Sequence, residues 1–223
     1  MNKVAEIIAS KLQHGDVIGV GTGSTVAKVL GALGEYLKQQ NKVVFALSTS
    51  TQSSQLCQHV GILPIDPAYA GQLVYGFDGA DEVDSQLRAI KGKGAAMLRE
   101  KIVASRCTEF SLVIDESKKV DVLGLKNAVP VEIIPIALDP VERHLKNLGA
   151  TEIRLRDGAP GKHGPVVTEY GNLVLDTKFS AIPDSLEWDI KSIVGVVESG
   201  LFLNAATEVL IQMQSGEVKV LKK

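Results

Sequence analysis

Apolar residues recur at helical spacing from the start of the chain. Ala5, Ile8, Ala9 and Leu12 share one face of residues 2–13, and Gly15 ends the stretch. Residues 16–21 read as a short strand, followed by a Gly/Thr/Ser loop. A helix to about Lys38 then carries Val26, Val29, Leu30, Leu33 and Leu37 on one side. Residues 43–47 form a continuous apolar run, expected as a strand buried on both faces. A second Ser/Thr-rich loop and a short helix with Leu56 come next. A strand over 73–77 runs into the acidic turn 78–82. The glycine-rich stretch 91–94 precedes a helix from about 95 to 105, and residues 109–114 form a further strand. Strands this apolar, alternating with helices, predict an open parallel sheet with helices on both faces. Each loop rich in Gly, Ser, Thr or Asp follows a strand end, the edge where such sheets bind ligands.

The pattern changes after residue 127. A strand over 129–134 leads to Asp139-Pro140, expected to cap a helix bearing Val141, Leu145 and Leu148 that stops at Gly149. Residues 151–156 read as a strand. The turn-rich segment 158–165 leads to a strand over 166–169, which is expected to pair with 173–177 through Tyr170-Gly171-Asn172. A helix capped near Asp184 carries Leu186, Ile190 and Ile193, and residues 194–197 close the unit. This is a β-α-β-β-α-β order with one strand split by a turn. It defines a smaller domain over 128–198. The first domain is residues 1–127, completed by 199–223 with strands at 208–212 and 217–220.

Composition narrows the classes of function. The chain has 223 residues, 45% of them apolar and 22% charged, with 24 Lys plus Arg against 26 Asp plus Glu. A net charge of −2 gives no electrostatic footprint for nucleic acid. No apolar run reaches the ~20 residues of a membrane span, and the first residues do not form a secretory signal, so a cytoplasmic location is expected. Cys57 and Cys107 are expected as reduced core thiols. His14, His59, His144 and His163 are scattered, with no i,i+4 pair, and no dedicated metal site is expected.

Four loops carry candidate chemistry. Gly19-Val20-Gly21-Thr22-Gly23-Ser24-Thr25 fails the dinucleotide fingerprint, because Ser24 stands where a third glycine is needed and the next strand ends in Ser48-Thr49-Ser50 rather than near an acid. Backbone N–H groups and three hydroxyls at a helix N-terminus suit a single phosphate; the alternative is a tight turn with an N-cap. The hydroxyls of residues 48–54 either add donors to the same anion or cap a helix. Asp78-Gly79-Ala80-Asp81-Glu82-Val83-Asp84 places four acids within seven residues. Its spacing does not match a calcium loop. The acids either bond sugar hydroxyls and move protons between oxygens or form a solvated turn. In Lys91-Gly92-Lys93-Gly94, Lys91 can reach an oxyanion. Further along, Glu100 has Ala96, Met97, Val103 and Ala104 as its helical neighbours. Such a stripe desolvates a carboxylate and raises its pKa, as a general base for a carbon acid needs; an arginine partner elsewhere is the alternative.

Taken together, Gly21-Thr22-Gly23-Ser24-Thr25, Ser48-Thr49-Ser50, Asp78-Gly79-Ala80-Asp81-Glu82 and Lys91-Gly92-Lys93-Gly94 with Arg99-Glu100-Lys101 closely resemble the type A ribose-5-phosphate isomerase family. Residues 115–118, 130–135 and 171–176 agree as well, so the similarity runs in order along nearly the whole chain. The resemblance implies a Rossmann-like domain with a smaller ferredoxin-like domain, usually as a homodimer. It also implies a cofactor-free interconversion of D-ribose 5-phosphate and D-ribulose 5-phosphate. Substrate contacts would come from Thr22, Gly23, Ser24 and Thr25, from Asp78, Gly79, Ala80 and Asp81, from Lys91, Gly92, Lys93 and Gly94, and from Lys118. Glu100 would be the base, with Asp78, Asp81 and Lys91 as further catalytic groups. Lys93 departs from the family, which usually has glycine there. A positive φ at that position would cost a lysine about 1 kcal/mol. Two other classes use similar sheet edges: a non-catalytic sugar-phosphate sensor, which usually carries an N-terminal DNA-binding module, and a coenzyme A transferase with a glutamate nucleophile.

Overall fold

The computed structural model describes residues 2–68, 71–158, 161 and 163–223. The chain forms two units: Met1–Ala80 with Arg99–Lys119 and Ala205–Lys223, and Asp81–Leu98 with Val120–Asn204.

In the first unit, seven strands lie in the order Val218–Lys222, Glu208–Gln212, Cys107–Asp115, Leu73–Asp78, Val17–Val20, Phe45–Ser48, Leu63–Pro64. All neighbours are parallel except the outer pair formed by the C-terminal hairpin. The tail therefore returns to this sheet. The two-residue strand Leu63–Pro64 is too short to stand out in the sequence pattern. Alternation sorts the side chains by face. Ile18 and Val20 are fully buried against Ala5, Ile8, Val29, Leu30 and Leu33 of the helices Asn2–Lys11 and Ser24–Gln39. On the other face, Leu47 and Leu73 pack with Val103 of the helix Met97–Arg106. A Cβ at Gly19 would stand 2.6 Å from a Val103 methyl, and one at Gly76 would stand 2.3 Å from Cys107 Sγ. Two strands thus leave out side chains where that helix and the Cys107 thiol press on the sheet. Burial pushes the Cys57 thiol up to about 11 and the Cys107 thiol up to about 12, so both stay protonated; Cys57 is a core thiol as expected, and Cys107 is half-buried.

In the second unit, Val129–Ile133, Leu138–Asn147, Ala150–Leu155, Leu173–Phe179, Leu186–Lys191 and Val196–Ser199 follow the β-α-β-β-α-β order. The sheet is antiparallel. Counting its strands along the chain, their order is four-one-three-two, the ferredoxin-like arrangement. Val131, Ile133, Val141, Leu145, Leu175, Leu186 and Ile190 form its core.

Three local expectations are corrected. Residues 166–169 form no strand, only the bridge Val167↔Leu173, so no strand is split. Asp139 lies inside its helix and pairs with Arg143, while the N-cap is Ala137 after a short Pro135–Ala137 turn. Asp184 bonds Arg88 at 2.8 Å, and the following helix is preceded by Ser185 without a side-chain cap. In the turn-rich segment, Ala159, Pro160 and Lys162 lie outside the described residues. The second unit is also larger than 128–198. Ala89–Ile90 pairs with Glu82–Val83 on one side and Leu201–Phe202 on the other in a three-stranded sheet, which draws residues 81–98 and 199–204 into it.

One buried polar network ties the first helix to the C-terminal hairpin. Glu208 is 3% exposed and accepts from Lys11 Nζ at 2.6 Å and Ser111 Oγ at 2.5 Å. Lys11 also bonds Glu109 and lies 4.9 Å from the Tyr75 ring centroid. Burial pushes the Glu208 carboxyl up, but the Lys11 and Ser111 bonds outweigh it and hold the carboxyl below the usual range. Burial likewise opposes the Lys11 charge, and its two carboxylate partners overcome this and raise it. A depressed carboxyl stabilises above its unfolded value of about 4.3, and a raised ammonium stabilises below about 10.4. The network's contribution is therefore full near neutrality and lost as pH falls through the carboxylate range. Lys11→Met should cost about 3 kcal/mol at pH 7, with the deficit shrinking near pH 3, read by denaturant unfolding at both values.

Candidate active site

The first unit builds its site around Asp78. The side chain ends an apolar strand and is fully buried. Its Oδ1 accepts from Thr22 N at 3.1 Å and from Gly79 N at 2.7 Å, linking two of the candidate loops. Close approach makes this possible: a Cβ at Gly21 would fall 2.0 Å from the Asp78 carboxyl carbon. Gly21 N in turn donates to Phe77 O, so the two strand ends leave the sheet still paired. Gly23 has φ +117° and caps the helix Ser24–Gln39 with no side-chain bond. Gly23 and Ser24 are exposed, and Thr22 and Thr25 are half-buried. The helix start thus presents N–H groups and hydroxyls outward with a positive local field.

The second loop is settled by its contacts. Thr22 Oγ1 lies 2.6 Å from Thr49 Oγ1, 2.9 Å from Ser50 Oγ and 3.3 Å from Ser53 Oγ. Thr49, Ser50 and Ser53 are all buried, and Ser53 Oγ donates to Gly21 O at 2.7 Å. Ser50 caps the helix Thr51–His59 by accepting from Ser53 N. These hydroxyls buttress the Thr22 loop. Arg99 supports the same strand end by donating to Ser48 O at 3.0 Å.

Glu100 is 4% exposed on the helix Met97–Arg106, with Met97, Val103 and Ala104 buried on its face. Of the apolar stripe read from the sequence, these three are buried and Ala96 is half-buried. Lys118 ends the short turn Glu116–Lys118 and is half-buried. Asp115 orders that turn by accepting from Ser117 N at 2.8 Å. The Ser117 hydroxyl bond is the main cause holding the Asp115 carboxyl below its usual value.

The second unit contains the rest of the acidic turn and the glycine loop. Each acid has its own work. Glu82 is fully buried and accepts from the N–H groups of Gly124, Lys126 and Asn127 at 2.6–2.7 Å. Asp84 accepts from Gln86 N, Arg88 N and Arg88 Nε. Asp81 is half-buried and accepts from Lys93 N at 3.1 Å. Lys91 is 3% exposed, its Nζ is 5.4 Å from the Phe202 ring centroid, and its backbone N donates to Gly200 O at 2.8 Å. Gly200 has no room for a side chain, since its Cβ would meet Lys91 O at 2.1 Å. The loop's positive φ angles fall at Gly92 (+100°) and Ala95 (+57°), and Lys93 has none. The lysine is therefore accommodated without the strain considered for it, and it is exposed.

The family profile for ribose 5-phosphate isomerase A (phosphoriboisomerase A) matches residues 45–216. The chain belongs to this family. The ribose-5-phosphate isomerase A of Thermosynechococcus vestitus is 46% identical over 211 residues, spanning 93% of this chain and 89% of that one. That of Methanosarcina acetivorans is 41% identical, spanning 96% and 91%. Among solved structures, ribose 5-phosphate isomerase A of Methanocaldococcus jannaschii superposes with a TM-score of 0.90 at 39% identity, covering all of this chain and 97% of the other. A D-ribose-5-phosphate isomerase in complex with phospho-erythronic acid gives 0.93 at 37% identity, with the same coverage.

Against the isomerase A motifs, sequence reasoning missed the pair Arg156 and Asp176. Arg156 Nη1 donates to Gly92 O at 2.9 Å and Lys93 O at 3.1 Å, while its Nε and Nη2 bond Asp176. Arg154 near the end of the strand Ala150–Leu155 and Arg156 just past it are a visible pair, but the loop that Arg156 serves is far away in sequence. The Gly21 contact yields a direct test. Gly21→Ala must displace the Asp78 carboxylate and should cost about 3 kcal/mol. Combining it with Asp78→Gly should show a coupling of about 1 kcal/mol or more in thermal unfolding, because the clash is then gone.

Proposed function

We propose that this chain interconverts D-ribose 5-phosphate and D-ribulose 5-phosphate, the aldose–ketose step of the non-oxidative pentose phosphate pathway. Family membership supports the activity, and the Asp78 bond to Thr22 N is the observation that carries the reading to the site. That bond holds the helix start of residues 22–25 open as an anion cradle, and the substrate's fixed anionic end is its phosphate. A phosphorylated sugar acid bound by a solved relative agrees in chemical class.

In this reading Thr22, Gly23, Ser24 and Thr25 hold the phosphate. Asp81 assists opening of the furanose ring, and Lys118 adds a further contact. Glu100 removes the C2 proton of the open aldose and returns it to C1, while the O2 proton moves to O1 through Asp81 or Asp78. The intermediate is a cis-enediolate, and Lys91 stabilises its negative oxygen. Burial of Glu100 supports its role, since a desolvated carboxylate is a stronger base toward carbon. Asp78, already bonded by two backbone N–H groups, suits holding the loops, and half-buried Asp81 suits the ring chemistry. The positive charge of Lys91 removes the need for a metal at the enediolate. The reading includes a homodimer working in the cytoplasm.

The deciding experiment is ketose formation from D-ribose 5-phosphate with EDTA present. The full chain should turn over, and silence overturns the proposal. Glu100→Gln should lower kcat about 10³-fold and leave KM within about threefold. Near-normal turnover in that variant removes Glu100 from the role.

A further inference from the structure

The Gly92–Lys93 peptide is held from both ends. Its carbonyl, Gly92 O, accepts from Arg156 Nη1 at 2.9 Å, and its N–H, on Lys93, donates to Asp81 Oδ2 at 3.1 Å. In a trans peptide these two groups point in opposite directions, so fixing one fixes the other. A flipped peptide would turn an oxygen toward the Asp81 carboxylate and leave the Arg156 bond unmade. Glycine at 92 makes such a flip cheap on its side, because no Cβ restricts its dihedrals. Lys93 resists on the other side, since a flip drives its φ toward the region an L side chain avoids.

We infer that Arg156, oriented by Asp176, is a positioning residue for the isomerisation: it locks the Gly92–Lys93 peptide so that an N–H faces the Asp81 carboxylate. The guanidinium is built for this. Its Nε and Nη2 fork onto Asp176 at 2.5–3.2 Å, and the remaining Nη1 spans two successive carbonyls. The side chain is 14% exposed and that of Asp176 18%, so water competes little. Asp81, Lys93, Arg156 and Asp176 all border one cleft of about 480 Å³ within the second unit. Lys91 is anchored separately, through Gly200. The clamp therefore acts on Asp81 and spares the lysine assigned to the enediolate. A lysine at 156 lacks the planar fork, so it loses the bidentate hold on Asp176 that aims the guanidinium at the two carbonyls.

This inference rests on the reading of Asp81 as the ring-opening group, and the test separates the two. D-ribulose 5-phosphate is an open-chain ketose, so exchange of solvent deuterium into its C1 needs Glu100 and Lys91 but no ring step. Arg156→Ala and Arg156→Lys should lower kcat from D-ribose 5-phosphate about 10- to 100-fold, while C1 exchange stays within about threefold. Equal losses in both assays, or no loss in either, overturn the inference. If Arg156→Ala does not fold, Arg156→Lys and Asp176→Asn decide by the same two readings. A parent chain silent in both assays overturns the activity itself; an active parent with unaffected variants overturns only the clamp.

Discussion

A fully buried carboxylate with no room to move organises the first unit. Asp78 sits where a Cβ on Gly21 would overlap it, and its Oδ1 gathers N–H groups from both strand ends. Buried charge is costly unless it is well bonded. That cost makes the arrangement rigid: moving either loop strands the carboxylate. The exposed helix start at Ser24 inherits its position from this contact and from the buried hydroxyls under Thr22.

The same device recurs in the second unit with different chain segments. Glu82 collects the backbone of residues 124–127, Asp84 closes its own turn, and Asp81 receives the N–H of the glycine loop. An acidic run whose spacing does not match a calcium loop thus acts as a set of backbone receptors. Only Asp81 among these three is half-buried; Glu82 and Asp84 are committed inside the fold.

The sequence pattern was most legible where local and tertiary preferences agree. Parallel strands buried on both faces are apolar throughout, and amphipathic helices announce their inner face, so the sheet and the stripe around Glu100 could be read directly. The pattern failed where an unlike partner overrides a local signal. Asp139 and Asp184 look like helix caps but are taken by Arg143 and Arg88. Residues 166–169 read as a strand, yet the four-stranded sheet of their unit is complete without them. For the site, residue types and spacing named the loops. They could not reveal that the hydroxyls of Thr49, Ser50 and Ser53 face inward, or that Arg156 reaches a loop more than sixty residues away. Those facts depend on which strand pairs with which.

The order of strands in the large sheet also bears on how the protein behaves in a crowded solution. An open sheet ends in two rows of unpaired backbone groups, each a template for another chain. One end here is only two residues long and finishes in Pro64, which has no N–H to offer. The other end is the hairpin strand Val218–Lys222, with exposed Lys219 and Lys222 and Lys223 directly after it. A like strand approaching that edge brings its own lysines against these. The last residues of the chain therefore do more than complete the sheet; they make it a poor seed for aggregation.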